Sequence, residues 1–262
     1  MSDSSHTVDA QLVSEVVAAY TQVGGGPGEL SQAPAPLALP EAFTDLSESE
    51  AYAFQEALID GLMSTYGGQR RGYKIGGVDP FYGVLLDSHL ISEDDEIELA
   101  TANSPVFEPE ILVRTTAELD AQASTEHIAA SVEMAAGIEM PVSRFANWSL
   151  AFPRTALIAD NALSTYVVTG SSWLPSLAPE ATVNVTLTHP DGVSTGSRTA
   201  ASVYEGVAWL LSALSSRGQT LAAGSLIATG TLLANPPAIP MTAGTYSASF
   251  DNGLGTVAIT AK

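Results

Sequence analysis

Val106-Phe107-Glu108-Pro109-Glu110-Ile111-Leu112-Val113-Arg114 is the stretch that decides the fold class. It is apolar on both sides of two carboxylates, and it lies among short β-like runs, not in a helical repeat. Successive side chains of a strand point to opposite faces, so Glu108 and Glu110 project to one side and Pro109 to the other. Carboxylates held that close repel and raise a pKa unless a cation lies between them. The pair therefore reads as either a solvated face or a hard-metal site. The flanking Val106, Phe107, Ile111, Leu112 and Val113, and a third acid in a second apolar strand, Ile138-Glu139-Met140, favour the metal. Three carboxylates on buried strands are costly without one.

Upstream, residues 7–22 place Val8, Leu12, Val16, Val17 and Tyr20 at helical spacing. The Gly- and Pro-rich 24–41 predicts an extended surface connector. A second helix is expected over 47–66, behind a capping box. After Gly67-Gly68 the period changes to that of strands in GYKIGG, FYGVLL, EIELA and VFEPEILVR. Downstream, 125–136 reads as a helix with Ile128, Val132 and Ala136 on one face, running into a strand GIEMPVSRF. ALSTYVVTG predicts a strand, and hairpins are expected at Pro190-Asp191-Gly192 and Asp251-Asn252-Gly253, with a helix over 202–217 between them. The class is mixed α/β (α+β) and rich in strands: an N-terminal helical region over 1–70 with its connector, then a β-rich catalytic domain over 71–262.

The 29 acidic and 9 basic residues give a net charge of -20, which disfavours nucleic acid and anionic membranes as partners. With no cysteine, any metal must take oxygen or histidine ligands. The polar, acidic N-terminus and the lack of a long apolar run predict a cytoplasmic protein.

Hard oxygen ligands point to Mg²⁺ or Mn²⁺, a Lewis-acid centre able to stabilise an enolate formed from a chelating 2-oxo acid. Among the few basic residues, Arg70 and Arg71 read as solvated. Lys74 sits between Tyr73 and Ile75 in an apolar strand, where a lysine normally has a partner or a function of its own. Here it could pair with an oxyanion or move a proton. Arg144 is expected either to bind an anionic small-molecule substrate or to hold its strand through a salt bridge.

The ordered motifs Glu50-Ala-Tyr-Ala-Phe-Gln55, Gly72-Tyr-Lys-Ile-Gly76, Tyr82-Gly83-Val-Leu, Glu108-Pro-Glu110, Ile138-Glu139 with Ser143-Arg144 and Trp148, and Ala159-Asp160-Asn161-Ala162 span most of the chain. Together they resemble the vinylpyruvate (2-keto-4-pentenoate) hydratase and 4-oxalocrotonate decarboxylase group of the fumarylacetoacetate hydrolase superfamily. The resemblance implies a β-rich fumarylacetoacetate-hydrolase-like fold and a homo-oligomer. It also implies metal ligands at Glu108, Glu110 and Glu139 and a lysine in the site at Lys74. Glu139, where hydrolytic relatives tend to carry Asp, favours the hydratase and decarboxylase branch.

The departures lie in the substrate-handling residues. The segment after the Lys-Ile-Gly motif, part of the family's lid, is cut to Gly77-Val78-Asp79. Pro80-Phe81 replaces the family's Pro-Asp, which leaves Asp79 as the candidate acid or base and puts Phe81 and Tyr82 at the substrate. Ala201-Ser202-Val203 replaces a Gly-His-Pro element, and Gly224-Ser225 a Gly-Asp. Two readings follow: a metal-dependent lyase-type enzyme that hydrates, decarboxylates, cleaves or cyclises its substrate, or a non-catalytic assembly subunit. Retained buried acids favour the enzyme.

Overall fold

The computed structural model describes residues 8–22, 36–148 and 152–262. Its first helices are α1 (Ala10–Gln22) and α2 (Glu48–Tyr66). The expected capping box starts α2: Glu50 N–H donates to Ser47 Oγ at 3.3 Å, and Ser47 N–H donates to Glu50 Oε2 at 2.8 Å. These bonds satisfy donors that the helix ladder leaves free. Next come β1 (Arg70–Gly76), β2 (Phe81–Leu86), β3 (Leu90–Ile91), β4 (Glu96–Ile97) and β5 (Val106–Thr115). They are followed by α3 (Thr125–Ala130), β6 (Val132–Met140), α4 (Arg154–Ala159), β7 (Tyr166–Thr169) and β8 (Leu174–Pro175). The hairpin of β9 (Thr182–His189) and β10 (Gly192–Thr199) leads into α5 (Ala200–Ser215). β11 (Leu226–Thr231), β12 (Ile239–Pro240), β13 (Gly244–Phe250) and β14 (Gly255–Ala261) complete a strand-rich α+β fold.

Among the described residues the strands form two sheets. One has nine strands with the main path β2-β1-β11-β5-β6-β7-β3, and the other runs β10-β9-β13-β14-β4. They share one core: Phe107, Ile111, Met134, Ala136 and Ile138 pack in a cluster with Val185, Leu187, Tyr246, Ala248, Val257 and Ile259. Val203, Val207, Leu210 and Leu214 of α5 join that cluster, each such burial stabilising by roughly 1.5–3 kcal/mol. A second cluster puts Phe54, Leu58 and Leu62 of α2 against Val84 and Leu86 of β2 and Ala156 and Ala159 of α4.

The opposite face of the larger sheet carries a third cluster: Leu85, Leu112, Val167, Leu226 and Ala228. Leu85 and Val167 belong to β2 and β7, far apart in the strand order, so the sheet curls to bring them into one buried group. Strand alternation puts Glu108 and Glu110 on the same face as Leu112. The acids thus line the curled face, and the other face of β5 fills the core between the sheets.

Three expectations are corrected. The helix expected over 125–136 ends at Ala130, and Val132 opens β6, which pairs with β5 from Thr115↔Val132 to Glu108↔Glu139. A spacing of four fits a strand's period of two as well as a helix, so Ile128, Val132 and Ala136 did not discriminate. That strand also stops at Met140, before Pro141, so Arg144 lies beyond it. EIELA keeps only the two-residue β4 before a 3₁₀ turn at Leu99–Thr101. Residues 24–35 of the connector lie outside the described residues. At its described end, Leu37 accepts from Ala146 N–H at 2.8 Å and donates to Arg144 O at 2.9 Å, with Phe43 buried behind it, so this end is built into the fold.

Candidate metal centre

Pairing of β5 with β6 sets Glu108 directly opposite Glu139 and Glu110 opposite Gly137. Like charges facing each other across a strand pair are destabilising unless something neutralises them. Glu110 and Glu139 are fully buried and Glu108 is half-buried. One carboxylate oxygen from each of the three lies within 4.8 Å of the others. A hard cation bonded to each oxygen at roughly 2.0–2.6 Å requires oxygens about 3–5 Å apart, so the donor set fits such an ion. Glu110 Oε2 accepts from Gly230 N–H at 3.0 Å, whereas Glu110 Oε1 and Glu139 Oε2 have no hydrogen-bond partner among the described residues. Burial, then the charges of its acidic neighbours, push Glu110 well above the ordinary carboxylate value. The same causes raise Glu108 to about 8.

Lys74, buried on β1, reaches this cluster with Nζ 3.1 Å from Glu139 Oε1. Burial by itself would lower its pKa, but Glu139, Glu108 and Glu110 together hold it above the ordinary lysine value. Nζ also donates to Ala162 O at 2.9 Å. That carbonyl is presented by Asn161, Ala162 and Leu163, three consecutive non-glycine residues with φ near +50° to +63°. Such a run is strained and persists only where packing imposes it. The Asn161 side chain acts as a substitute strand for the edge strand β2, accepting from Val84 N–H at 2.7 Å and donating to Val84 O at 2.9 Å. A Cβ at Gly83 would lie 2.3 Å from Asn161 O and 2.9 Å from Ala162 Cβ. Gly83→Ala should therefore push this segment off β2 at a cost of about 1–3 kcal/mol, read as a fall in Tm of several degrees; an unchanged Tm would refute the close approach.

Phe81 lies on the face of Lys74, in register with Gly76. A Cβ added at Gly76 would meet the Phe81 ring and Lys74 Nζ, each at 3.5 Å, so both lie over the same glycine. Tyr82, expected beside the substrate, is one residue along the strand and so faces the other way. It is fully buried and stacks on Tyr52 of α2 with ring centroids 4.6 Å apart. Asp79 is on the turn between β1 and β2 with an exposed side chain, 3.3 Å from Arg154 Nε. Arg154 also donates to Pro80 O at 2.6 Å, so the shortened turn is tied to α4.

Arg144 is fully buried in the salt bridge that was one of its two expected roles. Its Nε donates to Asp160 Oδ1 at 2.7 Å, Nη2 to Asp160 O at 2.7 Å and Nη1 to Thr165 Oγ1 at 2.9 Å. The Tyr20 ring covers the guanidinium at 3.9 Å. These contacts commit the guanidinium to the loop after β6 and the segment at Asp160.

Two residues at the centre were not singled out in the sequence. Gly230 supplies the N–H to Glu110, and Arg198, from β10 of the other sheet, donates to Thr229 O and Gly230 O. Neither was legible there, because the role of Gly230 depends on an irregularity in the pairing of β11 with β5 and that of Arg198 on contact between sheets.

No protein-family model matches the chain. Among solved structures, 4-oxalocrotonate decarboxylase from Pseudomonas putida G7, complexed with magnesium and adipate, is similar at 24% identity and a TM-score of 0.78, over 98% of this chain and 99% of that one. Fumarylpyruvate hydrolase from Pseudomonas aeruginosa, in complex with Mn²⁺ and pyruvate, is similar at 17% identity and 0.55, over 73% and 89%. The 5-carboxymethyl-2-hydroxymuconate delta-isomerase from Mycobacterium smegmatis gives 16% and 0.52, over 74% and 80%. End-to-end coverage by the first of these shows that the chain has the fold of 4-oxalocrotonate decarboxylase.

Proposed function

We propose that this chain is a divergent member of the 4-oxalocrotonate decarboxylase and hydratase group, a metal-dependent lyase-type enzyme for an anionic, enolisable 2-oxo acid. The observation that carries this reading is the convergence of Glu108, Glu110 and Glu139 within 4.8 Å on a buried face beside Lys74. These carboxylates would hold Mg²⁺ or Mn²⁺, as the magnesium complex of the similar decarboxylase supports. When bound, the ion supplies Lewis acidity toward the keto and carboxylate oxygens of the substrate.

The chain's own residues account for the remaining roles. Lys74 is held protonated by the acids and aimed by Ala162 O and Glu139, so Nζ can donate a hydrogen bond to an oxygen on which negative charge develops. It is also the proton-carrying group next to the cluster. Phe81 places an apolar ring over the same glycine as that ammonium, where it excludes water and suits an apolar portion of the substrate. Asp79, with its side chain exposed and paired to Arg154, is assigned no proton transfer in this arrangement.

The test is turnover of 4-oxalocrotonate and of 2-hydroxypenta-2,4-dienoate with and without Mn²⁺, followed by loss of ultraviolet absorbance. Metal-dependent consumption of either is expected, falling at least about 100-fold in Lys74→Met, since removing a preorganised donor to developing charge costs on that order. If the ion binds but neither compound is consumed, the lyase assignment fails.

A further inference from the structure

We infer that Arg198 is a positioning residue for the metal centre: from the second sheet, its guanidinium fixes a bulge in β11 that aims the Gly230 N–H at Glu110. The inference rests on the metal-site reading above. Regular pairing of β11 with β5 runs Leu226↔Arg114, Ile227↔Val113 and Ala228↔Leu112, after which Gly230 would oppose Glu110. Instead Thr231 opposes Glu110, so β11 carries one extra residue at Thr229-Gly230. Bulges of this kind re-aim groups beside functional sites. Here the result is that Gly230 N–H leaves the ladder and donates to Glu110 Oε2 at 3.0 Å, while Thr229 Oγ1 donates to Ile111 O at 2.7 Å.

A bulge needs something to hold it, and Arg198 supplies the restraint. Nη1 donates to Thr229 O and, at 3.3 Å, to Gly230 O, the two carbonyls of the bulge. At the other end of the fork, Nε donates to Ser202 Oγ at 3.1 Å and Nη2 to Ser202 O at 3.2 Å, on the first turn of α5. The planar group thus spans two elements, a geometry that an ammonium cannot reproduce. Gly230, at φ +96°, leaves room for it: an added Cβ would lie 3.4 Å from both Arg198 Nη1 and Ile75 O.

Positioning and plain electrostatics give opposite signs. A positive charge near three carboxylates opposes a bound cation, so if charge were its whole role, removing Arg198 would tighten metal binding. If Arg198 acts by holding the bulge, removing it frees Glu110 and weakens binding, by roughly 10- to 100-fold for an outer contact to a ligand. The experiment is calorimetric titration of the full-length protein with Mn²⁺, alongside the Mn²⁺ electron paramagnetic resonance spectrum, for wild type, Arg198→Met and Arg198→Lys. Both variants are expected to bind Mn²⁺ roughly 10- to 100-fold more weakly, with a changed spectrum, although Arg198→Lys keeps the charge. Unchanged or tighter binding in Arg198→Met, or wild-type affinity in Arg198→Lys, overturns the inference. Near-ultraviolet circular dichroism of the metal-free proteins checks folding. Should Arg198→Met not fold, Arg198→Lys and Gly230→Ala, which crowds the same bulge, decide by the same criterion. A wild-type protein that binds no Mn²⁺ overturns the metal reading itself and is told apart by that first titration.

Discussion

Stripped of metal with a chelator, the protein should lose thermal stability as pH rises from about 5 to about 8, and Mn²⁺ should restore it most at the upper end. Glu108 is raised to about 8 from an ordinary value near 4.5, and Glu110 is raised well above its ordinary value in the same direction. A carboxyl whose folded pKa lies above its unfolded one binds more protons when folded. Its stabilisation is therefore fully present below the unfolded value and is lost as pH climbs through the folded one. Glu108 is half-buried and partly screened, so the expected fall is on the order of 5–10 °C in Tm. A divalent ion replaces the protons as the neutralising charge and binds only the folded cluster, so its effect on Tm should grow with pH. Differential scanning calorimetry with and without Mn²⁺, on wild type and Glu139→Gln, reads this directly. A metal-free Tm that is flat or rises over the window, or an equal Mn²⁺ effect in Glu139→Gln, would refute the assignment of these three acids.

The second large effect is expected far from any substrate. Arg144→Met should lower Tm by roughly 10 °C, because removing one partner of a buried pair leaves the other charge uncompensated, at about 3–5 kcal/mol. Asp160 would be that charge: it is buried, and besides the Arg144 guanidinium it is held by Ser143 Oγ at 2.8 Å and Arg144 N–H at 3.2 Å. The pair fixes the loop after β6 against the segment Asp160–Leu163, whose Ala162 carbonyl holds Lys74. Loss of Arg144 should thus also loosen the lysine. Arg114→Met is the comparison, since its pair with Glu133 at 2.6 Å is partly exposed and surface pairs are worth about 1 kcal/mol or less. Equal Tm changes in the two variants would remove the structural role and return Arg144 to the anion-binding alternative.

The residues readable from sequence are those whose roles follow from local periodicity. Glu108 and Glu110 had to share a face in any strand, and Lys74 in an apolar run called for a partner or a function of its own. The capping box of α2 and the two hairpins were likewise legible, because caps and turns are set by a few adjacent residues. Reading failed where one pattern fits two structures. The spacing of Ile128, Val132 and Ala136 suits a helix or a strand, and only pairing with β5 made β6 a strand. Tyr82 shares a motif with Phe81, yet one step along a strand reverses the side chain and turns it toward Tyr52.

By itself the sequence determined that two acids would share one face of an apolar strand, that a third would lie on another apolar strand, and that a lysine would lie in an apolar run of its own. Only the tertiary structure decided that Glu108 stands directly opposite Glu139, that Ala162 O and not a side chain alone aims Lys74, and that Arg198 crosses from the other sheet to the bulge beside Glu110. The physical reason is range. Periodicity fixes which way a side chain points along its own strand, whereas register, bulges and contacts between sheets join residues 31 to 120 positions apart, and no local pattern encodes them.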